Sequence, residues 1–232
     1  MLVVDDSLYE LFSLVEGNMT TSLEPLSTTL TTVGRPKDLV KRAAILQAAK
    51  DLFLRLGYDG SSMDAIAAEA KVSKLTVYSH FHDKESLFAA SIAAHCVNQL
   101  PAAIFDLAED VEIKTALAGV AQRFHGMINS QEAIELHRLM VTIAMQHPER
   151  TRLFYDAGPQ RTHNEMARLL TQAHQQGKLN IPDPMIAAEY FLSSFTGCSQ
   201  FQNILGLGVE DAAASERYVR EVVQRFVRAY QA

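Results

Sequence analysis

The 232-residue chain lacks most of what common chemistries require. Its two cysteines, Cys96 and Cys198, are too few for a disulfide framework and stand apart from any histidine at zinc-ligand spacing. They read as free, packed thiols, with oxidation sensing as the alternative. No apolar run approaches the ~18 residues that span a bilayer. Residues 1–15 are mildly apolar, but Asp5, Asp6 and Glu10 interrupt them and no basic segment precedes them, so they do not read as a targeting signal. The expectation is a cytoplasmic protein with no membrane partner. There is no HExxH, no GxSxG, no glycine-rich phosphate loop and no paired-carboxylate motif. His125, His137, His147, His163 and His174 occur singly. An enzyme is therefore not expected, nor any catalytic residue, metal or cofactor. Strand alternation, internal repeats and heptads are missing as well, which leaves helices.

Positive charge is also scarce, and its location matters more than the net −6. Residues 1–33 carry five acids and no base, residues 34–95 nine bases against seven acids, and residues 96–232 twelve bases against fifteen acids. Only the middle block is positive, and only slightly, so charge alone points weakly toward a phosphate-bearing partner. Before it, SLEPLSTTLTTVG is Ser/Thr-rich and without periodicity, so residues 1–33 read as a flexible extension in which Met19 is a second candidate start.

What is present centres on residues 62–81, SMDAIAAEAKVSKLTVYSHF. Met63, Ile66, Ala67 and Ala70 fall at i, i+3, i+4 and i+7, with Asp64 and Glu69 off that face. After a four-residue junction, Ala70–Ser73, a second segment places Val77 and Phe81 four apart, with Leu75 and Ser79 opposite and Thr76, Tyr78 and His80 beside them. Ser62 and Ser73 are candidate N-caps. Two short amphipathic helices at this spacing form a helix-turn-helix, and the small, polar outer face of the second suits a major groove. Upstream, Ile45, Ala48, Ala49, Leu52, Phe53 and Leu56 make one core-facing stripe on a helix expected from about Asp38 to Leu56, stopped by Gly57. Downstream, Asp83 is placed to cap a helix that Pro101 ends.

The run GRPKDLVKRAAILQAAKDLFLRLGYDGSSMDAIAAEAKVSKLTVYSHFHDKESLF resembles the DNA-binding domain of the TetR family of bacterial transcriptional regulators, AcrR-like members included, from Gly34 to about Val97. It joins a leading amphipathic helix, a Gly-Tyr break, the helix-turn-helix and a Lys-Glu-x-Leu-Phe segment in one order. The resemblance implies an all-α fold, in which a three-helix DNA-binding head (34–97) precedes a helical-bundle domain for effector binding and dimerisation (98–232). It also implies a homodimer on double-stranded operator DNA, repression, and relief by a small-molecule effector. The alternative is an architectural or redox-responsive DNA-binding protein without an effector.

By the same resemblance, Ser62, Tyr78, Ser79, His80 and Lys84 are expected mainly at phosphates; Lys74 and Thr76 are separately read as base contacts. Arg35 and Lys37 lie just before the first helix, where they could reach a phosphate or minor groove. Lys84 sits in a helix's first turn, where a base opposes the dipole unless it meets a phosphate. Two residues depart from the family pattern: Lys71 replaces the usual turn glycine, and Leu75 replaces a glycine early in the recognition helix, where it is suited to a thymine methyl. Together with Ser73, these residues complete the expected DNA-binding set.

Beyond the head, helices are expected near 112–128, 131–146, 148–157, 160–176, 184–205 and 212–230, punctuated by Pro148, Pro184, Gly158 and Gly177. Phe124, Met127, Met140, Phe154, Met166, Phe191 and Phe195 offer soft or aromatic surface for an apolar or aromatic effector. The 184–205 segment is apolar almost all round. In the last helix Tyr218, Val222, Phe226 and Val227 form a stripe. The resemblance assigns dimerisation to these two helices, with Phe195 and Phe226 as its expected anchors.

Overall fold

The computed structural model describes residues 35–208 and 211–231, with side chains excepted at 35–37, 146, 149, 150 and 212. The 1–33 extension, with Met19, therefore lies outside the described residues, as do the side chains of Arg35 and Lys37. Helix α1 is Arg35–Gly60, broken at Gly57 (φ 76°, ψ 171°). Its backbone already includes Arg35 and Lys37, which sit on the first turn rather than ahead of it. The expected stripe is buried as far as Phe53, but Leu56 is half exposed because the chain turns away at Gly57.

Local capping sets the next three boundaries. The Ala65 N–H donates to Ser62 Oγ at the start of α2 (Met63–Glu69). The Thr76 N–H donates to Ser73 Oγ at the start of α3 (Lys74–His80). A capping box starts α4 (Lys84–Gln99): the Ser86 N–H donates to Asp83 at 2.7 Å and the Asp83 N–H to Ser86 Oγ at 3.2 Å. The Ser86 N–H bond holds the Asp83 carboxyl below its ordinary range.

A 3-10 turn (Ala102–Phe105) leads to α5 (Ile113–Ile128), α6 (Gln131–Gln146), α7 (Pro148–Ala157), α8 (Pro159–Gln175), α9 (Pro184–Ser193), α10 (Cys198–Ile204) and α11 (Ala212–Ala229). No strand occurs among the described residues, and no helix among them is long and apolar enough to cross a membrane. The expected single helix over 184–205 is two. Between them Ser194 and Thr196 turn their hydroxyls onto the carbonyls of Tyr190 and Ser193, and Gly197 takes ψ −148°. Side chains that compete for backbone acceptors, followed by glycine, interrupt the ladder there.

Two cores result, and one of them draws on residues from both sides of residue 97. One cluster joins α1–α4 and also takes in Leu136, Met140 and Ile143 of α6, with Phe154 and Ala157 of α7 packed against it. The other fills the body from Leu100 to Phe226. The head thus borrows part of its apolar interior from the body.

Candidate nucleic-acid interface

The α2–α3 turn closes through two backbone bonds, Lys71 N–H to Ala68 O (3.1 Å) and Val72 N–H to Ala67 O (3.0 Å), with Lys71 at φ 55°. This pairing needs one left-handed residue after the helix, a position glycine fills without steric cost. Val77 is fully buried and Phe81 nearly so, which anchors the inner face of α3 in the head. Leu75 is 80% exposed, Tyr78 45%, and Lys74, Ser73 and Ser79 also face outward.

Two of the expected phosphate residues make contacts within the protein. His80 keeps a side-chain exposure of only 10%, with Nε2 3.2 Å from Asp38 Oδ1 and its ring 6.2 Å from that of Phe81. It faces inward because it lies at the end of α3 where the helix closes onto α1. Lys84 donates from Nζ to the carbonyls of Tyr58 (2.9 Å) and Ser61 (3.1 Å) and lies 4.3 Å above the Tyr58 ring. Those carbonyls offset the dipole penalty of a base in the first turn of α4, so the lysine has a structural reason to be there. Ser61 is itself fixed by donating to Leu52 O and Gly57 O.

Lys74 is held differently. Its Nζ meets Asp64 Oδ1 at 2.7 Å and Oδ2 at 3.0 Å, and stands 5.9 Å from the Tyr78 ring centroid. The Asp64 hydrogen bond and charge raise the Lys74 pKa above the ordinary lysine value. Thr76 Oγ1 bonds Ser73 Oγ at 2.8 Å, and Ser79 donates back to Thr76 O. Sequence reasoning missed Asp64, since ten residues separate it from Lys74 and no helical spacing links them.

The seven expected effector-lining residues do not form one group. Phe124, Phe191 and Phe195 pack edge to face within 5.5–6.1 Å in the body core, with Met166 buried in that core and Met127 against it. Met140 and Phe154 belong to the head's cluster instead, because α6 and α7 lie between the two cores. Phe195 and Phe226, expected on the dimer surface, are 1% and 8% exposed and lie inside the subunit. The buried stripe of α11 is Val219, Val223 and Phe226; Val222 is partly buried against the same core, and Tyr218 is 42% exposed at its edge. With Tyr190, Ser194 and Arg225, Tyr218 and Val222 line an open groove of about 870 Å³ between α9 and α11. Of the cysteines, Cys96 is buried, its thiol pushed up to about 11 by desolvation, while Cys198 is exposed rather than packed.

Two family models match the chain: "Bacterial regulatory proteins, tetR family" over residues 45–91 and "AefR-like transcriptional repressor, C-terminal domain" over residues 115–232. A TetR-family transcriptional regulator from Mesorhizobium loti is similar in structure (TM-score 0.72, 28% identity, covering 85% of this chain and all of that one). So is the flavonoid-responsive regulator FrrA (TM-score 0.65, 32% identity, covering 82% of this chain and 97% of that one). Among curated proteins, the uncharacterized HTH-type regulator YdeS of Bacillus subtilis is 41% identical over 68 residues, 29% of this chain and 34% of YdeS. The chain thus spans about a third of that relative's length.

Proposed function

The chain belongs to the TetR family of bacterial transcriptional regulators, and from that premise we propose that it is a cytoplasmic repressor that binds a near-palindromic double-stranded operator as a homodimer. A small apolar or aromatic effector bound in the body releases it. It is a DNA-binding regulator and not an enzyme.

The observation that carries the reading is α3 itself: Val77 and Phe81 lock one face into the head while Lys74, Leu75, Tyr78 and Ser79 project from the other. Lys74, Leu75 and Thr76 would address base edges, and Ser62, Lys71, Ser73, Tyr78, Ser79 and Lys84 the flanking phosphates. Arg35 and Lys37 on the first turn of α1 are proposed as further phosphate contacts. Dimerisation is assigned to the outward face of α9 and α11, where Tyr190 and Tyr218 are exposed beside the groove. Two heads then meet successive major grooves roughly 34 Å apart.

Release follows from the shared core. Leu136, Met140 and Ile143 of α6 pack directly in the head's interior, so a displacement of α6 by an effector moves α1 and α4 with it. An effector that binds only the displaced state lowers operator affinity by its preference for that state, typically about 1–3 kcal/mol. The ring cluster of Phe124, Phe191 and Phe195 supports an apolar or aromatic effector, and the flavonoid-responsive FrrA is a relative of that kind.

The test is enrichment of duplexes from a random-sequence pool by the full-length protein, followed by anisotropy titration with and without a flavonoid panel. A palindromic consensus bound by a dimer and weakened by a ligand is expected. If no sequence is enriched, or ligands that raise the melting temperature never change affinity, the reading fails.

A further inference from the structure

The base of the recognition helix that stands nearest its start is held by an acid on the neighbouring helix, and that acid is hard to explain by stability. Asp64 and Lys74 are both mostly exposed, with side-chain exposures of 63% and 59%. Exposed ion pairs add little to folding because water screens them and both side chains lose freedom. Asp64 lies in the first turn of α2, where the helix dipole favours a carboxylate, but at so exposed a site that gain is small. Its cost in function is evident, since a carboxylate beside the groove-facing surface repels phosphates.

Resting on the reading of α3 as the recognition helix, we infer that Asp64 is a specificity-determining positioning residue, which pins the Lys74 ammonium so that it serves base edges rather than any nearby phosphate. A lysine on a four-carbon stem is a mobile point charge and reaches backbone oxygens at almost any sequence. Lys74 instead has a partner at hand. Both carboxylate oxygens of Asp64 lie within 3.0 Å of Nζ, and the Tyr78 ring, one turn further along α3, has its centroid 5.9 Å away. The ammonium keeps a fixed position from which it can donate to a guanine edge, and Asp64 screens it from the phosphates outside. Sequence-independent affinity falls and discrimination rises.

The experiment titrates full-length wild type, Asp64→Asn, Lys74→Met and the double variant against two duplexes over a salt series. One duplex is the sequence that wild type enriches from a random pool; the other is its scrambled version. For Asp64→Asn the expected result is about threefold to tenfold tighter binding of the scrambled duplex, a steeper salt dependence by about one ion, and a specificity ratio reduced about tenfold, with the melting temperature little changed. Lys74→Met should lower the ratio too, and the double variant should be no worse than Lys74→Met alone, because Asp64 acts only through that lysine. An unchanged ratio in Asp64→Asn, beside a wild type that discriminates, overturns the inference alone. So does equal weakening on both duplexes with a lower melting temperature, which marks a structural role. A wild type that binds both duplexes alike overturns the recognition-helix reading beneath it.

Discussion

Lys50 of α1 meets Glu132 of α6 at 2.5 Å, across the seam between head and body. The Nδ1 of His95, on α4, lies 3.7 Å from the same carboxylate. Phe53, Phe88, Ile92 and Leu136 surround the three groups, and the cavity among them measures only about 10 Å³. An ion pair partly buried in this way, with Lys50 18% and Glu132 33% exposed, fixes how α6 sits on the head more than it adds net stability, because desolvation offsets much of its attraction.

Glu132→Gln should therefore lower unfolding free energy by about 1–3 kcal/mol, since Lys50 keeps its charge in a mostly enclosed place without its counter-charge. A Lys50→Met/Glu132→Leu double variant should recover much of the loss. Urea titration measures both, and an unchanged midpoint in Glu132→Gln would refute the role.

The same seam makes stability pH-dependent. Burial lowers the His95 pKa from its ordinary value, Lys50 adding to the fall and Glu132 opposing it. A depressed folded pKa means that the unfolded chain binds the proton first, so this contribution is whole above about pH 6.5 and is lost as pH falls below it. His95→Gln should flatten the fall in melting temperature between about pH 7.5 and 5.5 relative to wild type. Parallel curves for the two proteins would remove His95 as the cause.

Lys71 sits at φ 55° in the α2–α3 turn. A lysine there costs on the order of 1 kcal/mol relative to glycine. Lys71→Gly should raise the melting temperature or leave it unchanged, and should weaken binding to all duplexes alike if the ammonium contacts a phosphate. A clearly lower melting temperature would mean that the lysine stem stabilises the head by packing.

Leu75 and Lys84 should separate by their effect on folding. Leu75→Ala removes a side chain 80% exposed, so stability should hold while affinity for the enriched duplex falls by ~1–3 kcal/mol and one thymine per half-site ceases to matter. Lys84→Ala loses the bonds to Tyr58 O and Ser61 O, so its melting temperature should fall, and its salt slope should fall by about one if it also meets a phosphate. Calorimetry beside anisotropy decides both. Equal affinity of wild type and Leu75→Ala for native and thymine-substituted duplexes would make Leu75 a stray exposed leucine.

Tyr190→Asp should yield folded monomers that bind the operator weakly, as expected for an exposed residue at the rim of the α9–α11 groove. Phe195→Asp should instead unfold the body, because its ring is in contact with Phe124 and Phe191. Sedimentation with circular dichroism distinguishes the two, and folded, monomeric Phe195→Asp would contradict the packing.

Much of this molecule is written within four residues of itself. A cap needs a hydroxyl or carboxylate three positions from an N–H, so Ser62, Ser73 and Asp83 announced three helix starts that the structure bears out. Apolar spacing likewise determined that Val77 and Phe81 face inward and Leu75 outward, and a glycine after the stripe marked the break at residue 57. Only the tertiary structure decided which side chains meet across helices. His80 is near Asp38, Lys84 reaches Tyr58 and Ser61, Asp64 holds Lys74, and Met140 and Phe154 join the head's core rather than the body's. Helical periodicity says which face is buried and nothing about what covers it. That depends on the approach of helices distant in the chain, which no local spacing encodes.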